Sequence, residues 1–174
     1  MKKTLATIIL LIGLLSGCGQ TITPEKVEQQ PGNAQNQSTQ APIKNEPKYF
    51  KVGEKVKMGD LAITVNSVKK SNGTQLFKPE SGNIFIIIDA AIENLGNESA
   101  ALSSLMMFKL ADSEGYSYNQ TILDNVKGSL DGEVGPGRKM RGEIVYEVPK
   151  KAQGLEFIFE PNLLGFGQAI FKLQ

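Results

Sequence analysis

Apolar residues recur at every second position in several short runs of the chain from Lys48 onward. Leu61, Ile63 and Val65 alternate with small or polar residues, which is the spacing of a β-strand with one buried face. Three later rows share this spacing: Ile144, Tyr146 and Val148; Leu155, Phe157 and Phe159; and Ala169, Phe171 and Leu173. No window sustains the 3.6-residue period of an amphipathic helix. The pattern therefore predicts an all-β domain over residues 48–174.

The stretch Asn83–Glu93 is the most apolar part of this domain. Its even-numbered positions from 84 to 92 are four isoleucines and an alanine, which would share one face of a strand. The opposite face begins with Phe85 and Ile87 and turns polar at Asp89 and Glu93. We therefore expect a central strand with one face in the core.

Turn-forming residues separate these runs. Asp112-Ser113-Glu114-Gly115 has the residue preferences of a type I turn, and it predicts a hairpin between strands at Phe108 and Tyr118. Gly135-Pro136-Gly137 interrupts regular structure before the row that begins at Ile144. About seven short strands without crossover helices predict an antiparallel two-sheet β-sandwich, with a small closed barrel as the alternative.

The first 17 residues have the pattern of an export signal. Lys2 and Lys3 precede an apolar run from Leu5 to Leu15, and this run is shorter than the roughly 20 residues that a membrane-spanning helix needs. Leu15-Ser16-Gly17-Cys18 then closely resembles the lipobox of bacterial lipoproteins. The resemblance implies that residues 1–17 are removed and that Cys18 carries a diacylglycerol anchor. The alternative is an ordinary signal peptide cut near Gly17, which would leave Cys18 as a free thiol.

Residues 18–47 differ from both neighbours in composition. From Gly19 to Pro47 the chain holds four of its eight prolines and six glutamines, with few apolar residues. Such a segment cannot bury a core, so it predicts a disordered tether behind the lipidated cysteine. As a flexible coil it would span roughly 30 Å, and in polyproline geometry about 90 Å.

Composition narrows the function classes. The chain has 174 residues, 19 basic and 18 acidic side chains and no basic block in the domain, so we expect no nucleic-acid partner. Histidine is absent and Cys18 is the only cysteine. The chain therefore lacks histidine-dependent nucleophile arrangements and the commonest metal ligand, and it cannot form an internal disulfide.

Several segments of the domain, taken in order, resemble a known family. They are Val52-Gly53-Glu54 leading into Ile63-Thr64-Val65, Phe85–Asn94, Phe108–Gly115, Gly135-Pro136-Gly137 with Gly142, and Tyr146–Pro149. Together they are similar to the immunoglobulin-like domain of unknown function found in many exported bacterial lipoproteins, over nearly all of Lys51–Leu173. The resemblance implies an immunoglobulin-like sandwich behind a lipobox and a polar tether. It implies no established activity and no catalytic residues.

Acidic residues provide two candidate chemical sites. Asp89 with Glu93 or Glu143 could form the carboxylate pair of a hydrolase acting on the cell wall, and the alternative is a solvated sheet face. Oxygen donors for calcium could come from Asp112, Ser113 and Glu114 or from Asp131 and Glu133, but neither group matches the twelve-residue calcium loop. Turn chemistry accounts for both groups, so we expect no metal, no cofactor and no enzyme.

An apolar loop provides the candidate interaction site. Asn162–Gly167 has the composition of a turn but holds Leu163, Leu164 and Phe166. As a hypothesis, these side chains form an exposed patch with Leu105, Met106 and Met107 that docks a protein, a second copy or a lipid surface. The alternative, which we favour, is that they fold over the open end of the sandwich and fill its core.

The sequence thus predicts a lipoprotein on the extracytoplasmic side of a bacterial cell membrane. The membrane would be bound through the diacylglycerol on Cys18, and the immunoglobulin-like domain would act as a binding module for a protein or for a second copy. The alternatives are the cell-wall hydrolase and a passive envelope spacer that associates with itself.

Overall fold

The computed structural model describes residues 24–26, 48–161 and 167–173. These residues form twelve β-strands and one short helix. The strands are β1 (Glu25–Lys26), β2 (Tyr49–Lys51), β3 (Lys55–Met58), β4 (Leu61–Ser71), β5 (Asn83–Asn94), β6 (Ala100–Leu102), β7 (Phe108–Ala111), β8 (Ser117–Tyr118), β9 (Gly132–Val134), β10 (Lys139–Pro149), β11 (Glu156–Phe159) and β12 (Ala169–Lys172), and the helix is α1 (Ser104–Met107).

Two five-stranded sheets form the sandwich. Sheet A has the order β1-β3-β4-β5-β10, sheet B has the order β2-β12-β11-β7-β8, and β6 pairs with β9 in a separate small ribbon. All of these pairs are antiparallel except that of β2 with β12, which is parallel. The predicted all-β, immunoglobulin-like sandwich is confirmed. Seven strands have four or more residues, and the other five are too short to show an alternating pattern in the sequence.

The core lies between the two sheets and follows the predicted alternation. Ile86, Ile88 and Ile92 of β5 are buried against side chains of sheet B, and the alternating rows of β4, β10, β11 and β12 are buried with them. Aromatic rings connect the layers, since Tyr146 of sheet A meets Phe157 of sheet B edge-on at 6.3 Å between ring centroids. Burial of such side chains is the main stabilising contribution in a chain that has no disulfide.

A second, smaller apolar cluster covers part of the outer face of sheet A. Phe85 and Val145 project from the face of β5 and β10 that points away from the core, and Leu123 of the loop after β8 packs on them. This explains why the outer face of β5 begins apolar. The loop is held along the edge of β10 by the hydrogen bond from the Thr121 amide to the Val145 carbonyl, 2.9 Å.

Part of the segment predicted to be a tether belongs to the sandwich. Glu25 and Lys26 pair with Lys57 and Val56 as the outermost strand of sheet A. Backbone hydrogen bonds make this pairing, so it leaves no apolar pattern in the sequence. The remainder of the predicted tether, residues 1–17 and Cys18 lie outside the described residues. None of the described residues forms a helix that is long and apolar enough to cross a membrane.

The strand registers define two ends of the molecule. In sheet B, β2, β7 and β12 begin at one end and β11 ends there, so Lys48 and α1 both lie at this end. The Lys48 ammonium donates a hydrogen bond to the carbonyl of Pro24, 3.5 Å, which brings the start of β1 to the same place. We call this the entry end. The hairpin after β7 and the turn after β10 lie at the opposite end.

Candidate binding cleft

A cleft lined by aromatic and charged side chains lies at the end of the sandwich opposite the entry end. It lies between the β7–β8 hairpin and the turn after β10, and its volume is about 470 Å³. Tyr116, Tyr118, Glu114, Lys151 and Gln153 are among the residues that line it. The side chain of Tyr116 is 63% exposed. The cleft therefore presents an accessible aromatic ring together with groups of both charges.

Asp112 shapes the hairpin wall of the cleft. Its Oδ1 accepts hydrogen bonds from the amides of Glu114, 3.0 Å, and Tyr116, 2.9 Å, which is the side-chain geometry that stabilises a tight turn. The Gly115 amide also donates to the Asp112 carbonyl, 3.1 Å, and closes the predicted type I turn. The predicted hairpin is therefore present, and the carboxylate of Asp112 organises it.

A hydrogen bond between two side chains fixes the orientation of Tyr118. The Tyr118 hydroxyl donates to Oδ2 of Asp112 at 2.6 Å. This hydrogen bond, assisted by the backbone amides, lowers the pKa of Asp112. Burial and the neighbouring carboxylate raise the pKa of Tyr118 to about 12. At neutral pH the pair is therefore a carboxylate and a neutral phenol, with the phenolic proton aimed at Asp112.

The second wall of the cleft is fastened to the first. The Ser113 amide and hydroxyl both donate to the carbonyl of Gln153, each at 3.1 Å. Gly154 permits this approach, because a Cβ atom at that position would lie 2.8 Å from the Cβ of Ser113. These contacts fix the position of the two walls of the cleft relative to each other. Such a preformed concavity with a few polar groups is the usual form of a small-ligand site.

The proposed carboxylate pair of a hydrolase is separated by the strand. Asp89 and Glu93 share the outer face of β5 but are four residues apart, which corresponds to about 13 Å along a strand. Glycosidase carboxylates lie within roughly 10 Å of each other. Glu93 is bound by Lys55 at 2.7 Å and by Lys139 at 3.7 Å, and the Lys55 hydrogen bond lowers its pKa. A general acid needs a raised pKa, so this pair does not fit the role.

The other proposed pair, Asp89 with Glu143, lies directly across neighbouring strands. Asp89 receives two hydrogen bonds from Arg141, at 2.8 and 2.6 Å, and the arginine lowers its pKa. Glu143 accepts the Lys127 amide at 2.9 Å and faces Lys69 at 3.6 Å. Both carboxylates are thus occupied by partners on the sheet surface. The geometry supports the alternative of a solvated, ion-paired face.

The proposed calcium donors are also occupied by hydrogen-bond donors. Asp131 accepts the Ser104 amide at 2.7 Å and the hydroxyls of Ser104 and Ser129. In the described ranges, no three acidic or cysteine side chains come close enough to hold a metal ion. The oxygens of Asp112 organise the β7–β8 turn, and those of Asp131 connect its loop to the first residue of α1.

Of the predicted apolar patch, the structure describes only the three residues in α1, Leu105, Met106 and Met107. Leu105 is 75% and Met106 52% exposed, whereas Met107 packs partly against the core. Leu163, Leu164 and Phe166 lie outside the described residues. The segment that holds them starts near α1, because the Glu160 amide donates to the Met107 carbonyl at 2.8 Å.

The cleft itself is not predicted by the sequence. Tyr116 and Tyr118 fit the second strand of a hairpin, since tyrosine is common in strands, and they do not by themselves indicate a binding site. Lys151 and Gln153 approach them only through the pairing of β7 with β11. This non-local contact has no sequence signal.

Comparison with known proteins places the chain in a family. The family model described as "Domain of unknown function (DUF4352)" matches residues 50–170. The chain belongs to this family. No curated protein matches it at the level of sequence.

Solved structures share the fold of this DUF4352 protein. The yjhA protein of Bacillus subtilis is 23% identical over 71% of this chain and 98% of its own, with a TM-score of 0.57. A candidate lipoprotein of the same species, ycdA, is 17% identical over 66% of this chain and 36% of its own, with a TM-score of 0.54. An uncharacterised β-sandwich protein of Clostridium difficile is 19% identical over 77% of this chain and all of its own, with a TM-score of 0.52. At these identities the likeness establishes the fold.

Proposed function

We propose that this protein is a lipoprotein held on the extracytoplasmic side of a bacterial cell membrane by a diacylglycerol on Cys18, and that its sandwich is a binding module. The lipobox-like sequence Leu15–Cys18 supports the anchor. The description of ycdA as a candidate lipoprotein, with the same fold, is consistent with it. The proposed partners are the membrane, bound through the lipid on Cys18, and a ligand of the sandwich. A protein or a second copy of this chain could also bind the sandwich.

The observation that carries the binding role is the position of the cleft. The chain from Cys18 reaches the sandwich at the entry end, where Pro24 contacts Lys48. The cleft around Tyr116 and Tyr118 lies at the opposite end of sheet B. A domain anchored through its N-terminus would therefore present the cleft away from the membrane, toward molecules outside the cell.

The lining residues favour a polar ligand with an apolar face. The exposed ring of Tyr116 can stack on such a face, while Lys151 and Glu114 supply a cation and an anion at the rim. Sugars linked to short charged peptides have this chemistry. Soluble peptidoglycan fragments are therefore the first probe to use.

Mass spectrometry of the protein from its own cells tests the anchor. The N-terminal peptide should begin at Cys18 and carry the mass of a diacylglyceryl group. The Cys18→Ala variant should lose this modification and leave the membrane fraction. A native chain that keeps Met1, or that begins at an unmodified Cys18, would contradict the anchor.

Amide NMR spectra of residues 19–174, which retain every described residue, test the cleft. Titration with soluble peptidoglycan fragments should shift the signals of Tyr116, Tyr118 and Lys151. Tyr116→Ala should weaken the binding by about tenfold, since stacking on one ring contributes roughly 1 to 1.5 kcal/mol. Tyr49→Ala is the matched control, because Tyr49 is 44% exposed but lies on β2 of sheet B, where its ring contacts Lys172. Absence of shifts at the cleft, or equal losses in both variants, would overturn its assignment.

A further inference from the structure

The N-terminal segment already pairs with the domain at residues 24–26, within the region whose composition predicts a tether. We call this pairing the clasp. Pro24 is buried, and Glu25 and Lys26 pair with the outer edge of β3. Two further contacts hold the clasp: Lys26 faces Glu54 at 3.1 Å, and Lys48 reaches the Pro24 carbonyl. Without β1, the edge of β3 would present unpaired backbone groups to solvent. The clasp therefore satisfies a sheet edge and fixes where the chain meets the domain.

The clasp sets the length of chain between the anchor and the domain. Five residues separate Cys18 from Pro24, so the two Cα atoms are at most about 22 Å apart. A tether ending at Lys48 would instead reach about 90 Å when extended. Lys26 and Lys48, on either side of residues 27–47, both contact the sandwich. The distance between Cys18 and the domain is therefore set by residues 19–23.

An exposed apolar surface lies at this same end. Lys48 precedes β2 and α1 precedes β7, and three strand spacings separate β2 from β7 in sheet B. This corresponds to a lateral distance of about 14 Å. Leu105 and Met106 project from α1 with most of their surface exposed. Side chains of this kind partition into the interface of a bilayer when a nearby anchor holds them there.

We propose that the entry end of the sandwich lies against the bilayer and that Leu105 and Met106 contact the lipid. The short chain between Cys18 and Pro24 selects a lipid surface as the partner of these side chains, because it keeps the entry end within about 22 Å of the acylated residue. This inference rests on the proposed acylation of Cys18. It assigns to α1 a membrane-contacting surface, and it orients the cleft outward.

Fluorescence quenching in vesicles tests the orientation. Cys18 is the only cysteine and is acylated in the anchored protein, so a single introduced cysteine provides a unique site for a dye. The full lipidated chain with Met106→Cys would be labelled and placed in vesicles of phosphatidylglycerol and phosphatidylethanolamine that contain nitroxide headgroup lipids. The dye at position 106 should lose most of its fluorescence. A dye introduced by Lys151→Cys, at the cleft, should keep it.

Two insertions of equal length test the clasp. A Gly/Ser insertion of about twenty residues between residues 23 and 24 would lengthen the chain between Cys18 and Pro24 by roughly 25 Å, and it should abolish quenching at position 106. The same insertion between residues 35 and 36 should leave the quenching unchanged, because both ends of that segment are held by the domain. Equal loss in both variants would show that β1 does not clasp the chain.

The outcomes separate this inference from the proposed function. If the chain is not acylated, it fails to join the vesicles and the proposed function fails. If it joins them but the two dyes are quenched equally, the acylation stands and the orientation is wrong. If the dye at position 106 is protected from nitroxide lipid but transfers energy to a second labelled copy, Leu105 and Met106 contact another chain and the lipid contact is overturned. Leu105→Asp should reduce the quenching at position 106, and because residue 105 is exposed the thermal midpoint should stay the same.

Discussion

Asn94 is the buried polar side chain whose removal should cost this domain most. It is 1% exposed and lies at the end of β5. Its Nδ2 donates to the carbonyls of Val134, 2.8 Å, and Glu98, 2.6 Å, and its Oδ1 accepts the amide of Gly96, 2.9 Å. One side chain therefore joins the turn after β5 and the end of β9 to the end of sheet A. Asn94→Ala removes all three hydrogen bonds at once.

The expected loss follows from what each partner can do afterwards. The Val134 carbonyl takes part in a buried hydrogen bond with Asn94, and the loss of this donor costs about 1 to 3 kcal/mol. The Gly96 amide and the Glu98 carbonyl are nearer to solvent and recover part of their hydrogen bonding from water. We expect a total decrease in the free energy of unfolding of about 2 to 4 kcal/mol. At a urea dependence of roughly 2 kcal/mol per molar, the midpoint should fall by about 1 to 2 M.

Urea unfolding of residues 19–174, followed by circular dichroism, measures this shift. Asn97→Ala is the matched control, since Asn97 is an exposed asparagine in the same turn and its replacement should change stability by less than about 0.5 kcal/mol. If the two variants unfold at the same urea concentration, the three hydrogen bonds do not carry the stability assigned to them. An unchanged slope would confirm that only stability has changed.

Asn94→Asp adds a pH test of the same geometry. The new carboxylate would face the two carbonyl oxygens that Nδ2 now contacts, so its folded pKa should rise above the unfolded value of about 4. Relative to the native chain, the variant should lose little stability below about pH 4 and progressively more as the pH rises through the folded pKa. A deficit that does not depend on pH would refute this account of the contacts.

Three further predictions concern the fold and the cleft. Gly142→Ala places a Cβ atom less than 3 Å from the backbone of the loop that crosses β10, so it should destabilise the domain by about 1 to 3 kcal/mol in thermal unfolding. In the control Gly135→Ala, the new Cβ meets nothing closer than 3.8 Å, and the stability should not fall. Tyr118→Phe removes the main cause of the low pKa of Asp112, so the carboxyl resonance of Asp112 should titrate at a higher pH in NMR, and an unchanged titration would contradict the contact. The pKa of Asp89 is lowered in the folded protein, so its ionised form stabilises the fold above the unfolded pKa of about 4, and this effect is lost as the pH falls through the folded pKa. Asp89→Asn should therefore make the fall in stability between about pH 5 and pH 2 shallower. An equally steep fall would contradict the ion pair.

The long strands were predictable because a sandwich imposes its period on the sequence. Each strand with one face in the core must place apolar side chains at alternate positions, and Ile63, Ile88 and Phe157 obey this rule. The hairpin at Asp112 was predictable for a different reason, since its turn needs a short acceptor at the first position and a glycine at the fourth. These are local requirements, so local patterns reveal them.

Features that depend on distant contacts were not predictable. β1 has two residues and is held by backbone hydrogen bonds with β3, so its side chains carry no pattern. The outer apolar cluster needs Leu123 to cross a face that the sequence marks as partly polar. The cleft needs the turn after β10 to approach the β7–β8 hairpin across β11. Each depends on which elements become neighbours, which alternation does not specify.

The contact between Tyr146 and Phe157 gives this protein an internal optical reporter. The chain has no tryptophan and four tyrosines, and Tyr146 is the tyrosine buried between the sheets. A phenol ring fixed against another ring in an asymmetric environment gives a near-ultraviolet dichroism band that disappears when specific packing is lost, even where secondary structure persists. A single spectrum of the unlabelled protein can therefore distinguish a tightly packed sandwich from a loosened one.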